Sequence, residues 1–191
     1  MHNPNILILQ QRNWAISYGM PLADYLQKQF PKASFAAFCY KPTIYRAVLN
    51  SKIKYKYVWN GYAHDDAILD PKIKQKISKI NISDIEDDLG IESVWLNLIN
   101  VDRSLMYTFG KKWRFSYEQQ LEDDVLLDLV KYNYYFVKEI IFKNFHPNII
   151  ILPLFGSLFH NVLYWFAKKK EVKCWMPTTV KISGRIILTD R

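Results

Sequence analysis

A chain of 191 residues with 50% hydrophobic content is long enough to bury a substantial core and reads as a single domain over 1–191. Its net charge of +8 admits nucleic acid, an anionic membrane surface or phosphorylated ligands, and does not choose among them. Cys39 and Cys174 lack metal-site spacing, no secretory leader is evident, and no stretch nears the roughly 18 apolar residues of a membrane span, so the expectation is a cytoplasmic chain.

In chain order, Asn5-Ile-Leu-Ile-Leu9 reads as the first, central, parallel strand. Gln10 to Met20 follows as a loop at the carboxyl end of that strand and carries Arg12, Asn13, Trp14 and Gly19. It has neither the G-x-G-x-x-G of dinucleotide folds nor a G-x-x-x-x-G-K-[ST] phosphate loop, which disfavours ordinary cofactor binding and phosphoryl transfer. Pro21 suits the first turn of a helix running to Phe30. Ser34 to Cys39 is a second strand, ending before Lys41-Pro42.

Lys52 to Trp59 alternates lysines with bulky residues. The pattern fits an edge strand with lysines outward better than a nucleic-acid platform. Asp70-Pro71 caps a helix with Ile73, Ile77 and Ile80 inward; Lys72, Lys74, Lys76 and Lys79 face outward, toward solvent or an anionic membrane surface. Ser83-Asp-Ile-Glu86 fits a capping box for a short helix ending at Gly90. Within Ile91 to Gly110, Glu92 to Ile99 reads equally as strand or helix, and Asp102-Arg103 caps a turn or contributes to a site.

A long helix starts among Glu118, Glu122, Asp123 and Asp124, with Leu126, Val130, Tyr134, Val137 and Ile141 inward and Lys138 and Lys143 near its end. The run Asn148 to Pro153, flanked by prolines, is a buried strand. Gly156, Ser157 and His160 open the next helix, which runs to about Lys170, and Val172 to Met176 is the following strand. Together they form a βαβ unit. The fold expected is α/β, a doubly wound, mostly parallel, Rossmann-like sheet with helices on both faces. In such sheets ligands lie beyond the carboxyl ends of the strands, where Gly156, Ser157 and His160 fall. Each also has a plain structural reading, as turn glycine, N-cap and packing residue.

Taken in order, these segments resemble the amino-terminal half of bacterial and archaeal surface-polysaccharide glycosyltransferases of the two-Rossmann (GT-B) type. The resemblance rests on Asn5 to Leu26, on Asp102-Arg103 ahead of an aromatic-rich helix, on Phe145 to Leu152, on Gly156 to Phe166 and on Thr178 to Asp190. It implies sugar transfer from a nucleotide-sugar donor to a glycan or lipid-linked acceptor, with no metal and no further cofactor. The donor domain would begin where this sequence stops, so the chain is either part of a longer enzyme or a free-standing domain.

On that resemblance His160 is the base for the acceptor hydroxyl, Arg12 and Arg103 pair with phosphate, and Trp14 stacks on a sugar. Asn13, Gly19, Asp102, Gly156 and Ser157 complete the expected substrate site. The lysine-rich faces allow peripheral contact at the inner membrane face, and nucleic acid is the disfavoured partner. The competing reading is a non-catalytic α/β module that holds a nucleotide, a glycan or an anionic surface at the same strand edge.

Overall fold

A computed structural model of the chain describes residues 3–102, 105, 121–153, 156–179 and 186–190. Among them are strands β1 (Asn5–Gln10), β2 (Ser34–Cys39), β3 (Tyr55–Asn60), β4 (Ile149–Ile151), β5 (Lys173–Thr179) and β6 (Ile186–Asp190). The principal helices are α1 (Met20–Gln29), α2 (Pro42–Leu49), α3 (Pro71–Ile77), α4 (Ile82–Leu89), α5 (Asp123–Tyr135) and α6 (Leu158–Lys169). The strands form one sheet in the order β3-β2-β1-β4-β5-β6, parallel throughout except for the antiparallel pair β5–β6. The chain winds from β1 out to β3, returns to the other side of β1 for β4, and continues to β6. This is the strand order of Rossmann-like, doubly wound α/β folds.

The chain divides into two compact units. The first comprises Met1–His64, Ile140–Leu154 and Glu171–Arg191 and holds the whole described sheet. Ile6 to Leu9 and Phe35 to Cys39 are buried at every position, as apolar strands inside a parallel sheet must be. Asn5 and Asn148 set the β1–β4 register. The Asn5 amide donates to Asn148 Oδ1 at 2.8 Å, the Asn148 amide donates back to the Asn5 carbonyl at 2.8 Å, and Asn5 Nδ2 reaches the Phe145 carbonyl at 2.7 Å. β3 is an edge strand, with exposed Lys54 and Lys56 alternating with half-buried Ile53, Tyr55 and Tyr57 at its start.

The expected loop after β1 is helical instead. Arg12–Trp14 opens a helical run, Ala15–Gly19 widens it into a π-turn, and α1 continues it. Pro21 has no amide to donate, and a widened turn ahead of it accommodates the interrupted ladder. α2 follows β2 directly, with Ile44 and Val48 buried one turn apart.

The second unit comprises Asp65–Glu139 and Phe155–Lys170 and is helical in its described residues. The Asp70 side chain caps α3 by accepting from the Lys72 amide at 2.8 Å, and Lys72, Lys74, Lys76 and Lys79 are all exposed, as the sequence predicts. α4 ends at Gly90, which takes the left-handed φ of 66° that glycine adopts without steric cost. Its N-cap is Asn81, two residues ahead of the expected Ser83. Glu86, the other half of the expected box, instead accepts from the Val94 amide at 3.0 Å. Of that ambiguous stretch, Trp95–Ile99 is helical, as a π-turn. α5 carries Asp123 and Asp124 in its first turn, and the predicted stripe of Leu126, Val130, Tyr134, Val137 and Ile141 is buried throughout. Glu118 lies outside the described residues.

Candidate functional site

Gln10 is the last residue of β1 and pairs with Cys39, the last residue of β2. Arg12 and Lys41 therefore each stand two residues past that final pair, side by side over the carboxyl edge of the sheet. Asn13 and Trp14 follow Arg12, and Thr43 and Ile44 follow Lys41 into the first turn of α2. These six side chains line a recess of about 440 Å³. It holds two cations, an amide and a hydroxyl, with no carboxylate among its lining residues. No side chain caps α2, so the amides of its first turn add partial positive charge on the same side.

The floor of the recess is built from inside the unit. Trp14 is half-buried and packs on the cluster of Ile6, Ile8, Ala23, Phe35 and Ile151. Gln10 is fully buried and donates through Nε2 to the Tyr55 hydroxyl at 3.4 Å. Gly19 lies against both residues, and a Cβ there would collide with Gln10 Oε1 and the Trp14 ring. Gly19 is thus a packing glycine that makes room for the indole, and it is not among the residues lining the recess. Arg12 adopts φ 42°, the left-handed region, which costs a non-glycine residue roughly 1–2 kcal/mol. Gln10 Oε1 and Trp14 Nε1 are buried without a hydrogen-bond partner.

The other predicted residues gather in the second unit, around the start of α6. Asp102 is 3% exposed and accepts the Leu158 amide at 2.6 Å, so a buried carboxylate holds the helix N-terminus. Ser157 is the N-cap. Its Oγ accepts from the His160 amide at 3.4 Å, and its own amide donates to His160 Nδ1 at 3.2 Å. The Ser157 hydroxyl also approaches Nδ1 at 2.5 Å. This is a capping box in which histidine replaces the usual Glu or Gln. His160 is 2% exposed, and burial lowers its pKa from 6.5 to about 4. It is therefore neutral at physiological pH, with Nδ1 acting as an acceptor. Gly156 is exposed, and a Cβ there would have open space around it, so no close approach requires glycine. Arg103 lies outside the described residues.

A wider groove of about 600 Å³ in the same unit runs between α3, α4 and α5. At its wall Lys138 Nζ donates to Asp88 at 2.6 Å and to the Tyr134 hydroxyl at 2.7 Å, while that hydroxyl donates to Asp88. Hydrogen bonds from Lys138 and Tyr134 hold Asp88 below the usual carboxylate range. Burial and the bond to Asp88 push Tyr134 up to about 12. Burial opposes the charge of Lys138, but its bonds to Asp88 and Tyr134 outweigh that and raise it. The three groups satisfy one another, which makes the cluster a brace between α4 and α5. The i,i+4 spacing of Tyr134 and Lys138 was the sequence signal for it.

Burial pushes the thiols of Cys39 and Cys174 up to about 12, so neither is a nucleophile at neutral pH. Among the described residues no group of three His, Cys, Asp or Glu side chains could hold a metal ion, and no helix is long and apolar enough to cross a membrane. Of the sequence candidates, Arg12, Asn13 and Trp14 come together, joined by Lys41, Thr43 and Ile44, which sequence reading did not assign to a site. Comparison with protein-family models, with curated proteins and with solved structures gives no match.

Proposed function

We propose that the chain is a Rossmann-like module that binds a phosphorylated ligand at the carboxyl ends of β1 and β2. The supporting observation is the recess itself, where Arg12 and Lys41 flank hydrogen-bonding Asn13 and Thr43 beside a half-buried Trp14. Arginine offers paired donors to phosphate oxygens, lysine a compact charge, and an indole face suits a sugar or base. In open α/β sheets this edge is where ligands lie.

Titration calorimetry with phosphorylated nucleotides and sugars should give binding that weakens with salt. The Arg12→Ala/Lys41→Ala double variant should lose at least about tenfold in affinity at an unchanged melting temperature, since a hydrogen bond to a charged group contributes roughly 1.5–3 kcal/mol. Unaltered affinity in the double variant would place binding elsewhere.

Glycosyl transfer in surface-polysaccharide synthesis is the second reading, favoured by the sheet order and by a phosphate-compatible recess at its ligand edge. There the recess would hold a phosphate of the nucleotide-sugar donor or of the lipid-linked acceptor; the base that the resemblance implies, His160, belongs to the second unit. Burial makes His160 a weak base, which ranks this reading behind simple binding. In an active enzyme, His160→Ala would have to cut turnover about 100-fold for the role to stand.

A further inference from the structure

Resting on the phospholigand reading, we infer that the recess takes a terminal phosphomonoester carried on a sugar or nucleoside ring, and not a bridging diphosphate. In the dinucleotide binders that share this strand order, the diphosphate lies on the first β–α turn. Bare glycine backbone lets it approach there, next to a helix N-terminus. Here that turn is Gln11-Arg12-Asn13-Trp14 and contains no glycine. The first glycine, Gly19, is occupied by Gln10 and Trp14. The left-handed position of the turn, where glycine would cost nothing, is Arg12. A guanidinium therefore replaces exposed backbone as the anion-binding group.

The end of β2 points the same way. Dinucleotide binders place a carboxylate there to accept from ribose hydroxyls. This chain has Lys41, followed by Pro42 and Thr43, so the position carries a cation and no carboxylate. Two cations in one recess suit the charge of about −2 that a monoester concentrates on one phosphorus above pH ~6, whereas a bridging diphosphate spreads about the same charge over two. Trp14 and Ile44 supply the apolar wall for the ring. No histidine or carboxylate lines the recess, so a change in affinity near pH 6 belongs to the ligand.

The test is titration calorimetry of the full chain with two monoesters, UMP and glucose 1-phosphate, and two bridging diphosphates without a terminal phosphate, UDP-glucose and NAD. At pH 7.5 at least one monoester should bind about tenfold tighter than either diphosphate, and the better monoester identifies a nucleoside or a sugar ligand. From pH 7.5 to pH 5.5 that affinity should fall about fourfold, following protonation of a phosphate with pKa near 6. Lys41→Ala, a solvent-facing change, should cost the monoester at least about tenfold. Equal or tighter binding of UDP-glucose or NAD overturns the inference but leaves the phospholigand reading standing. No binding by any of the four overturns both.

Discussion

His160 carries a chemically capable side chain in a setting that restrains it. Buried in the first turn of α6, it accepts the Ser157 amide through Nδ1 and has its pKa pushed down to about 4. In an unfolded chain the imidazole titrates near 6.5, so between pH 6.5 and 4 the unfolded state binds more protons than the folded one. Stability contributed by the neutral histidine is intact above pH 6.5 and is lost as pH falls toward 4, by up to roughly 3 kcal/mol. Urea unfolding at pH 7 and pH 5 should show this slope in the wild type and a shallower one in His160→Gln. Equal slopes would mean that His160 is not held neutral in the folded state.

At the scale of the element, the helix that sequence reading singled out for a ligand uses its N-terminal groups internally. Asp102, 56 positions away in sequence, supplies the carboxylate for the Leu158 amide, and Ser157 and His160 cap each other. Asp102→Ala should destabilise by about 1–3 kcal/mol, because the buried amide loses its acceptor. Asp102→Asn, which retains a carbonyl oxygen, should lose less. Chemical denaturation of the two variants checks the order, and a silent Asp102→Ala would show that the helix end does not depend on this carboxylate. The residues themselves were legible, since Ser157 had a plain reading as an N-cap. Nothing local in the sequence identifies Asp102 as the partner, because a long-range contact leaves no periodic trace.

For the sheet as a whole, the order β3-β2-β1-β4-β5-β6 places β1 and β2 at interior positions and β3 and β6 at the edges. Amides of Leu7, Ile8, Ala36 and Ala37, all fully buried, should exchange slowest with solvent. Amides of edge strand β3 should exchange roughly tenfold faster or more. Native-state hydrogen exchange read by NMR tests the order directly. Uniform protection from β1 to β3 would contradict an interior β1–β2 pair.

Local pattern alone was enough for Ser34 to Cys39 as a strand, for the lysine-lined edge strand at Tyr55, for the Asp70 cap and for the buried stripe from Leu126 to Ile141. In each, apolar spacing, capping chemistry and charge lie within a few residues of one another, so one window holds the whole signal. The tertiary structure decided what depends on register. Pairing of Gln10 with Cys39 sets Arg12 beside Lys41, 29 positions apart in sequence, and makes one anion-compatible recess from two unremarkable turns. It also buried His160 and directed Asp102 to a backbone amide, because a side chain's environment is set by what packs against it and not by its neighbours along the chain.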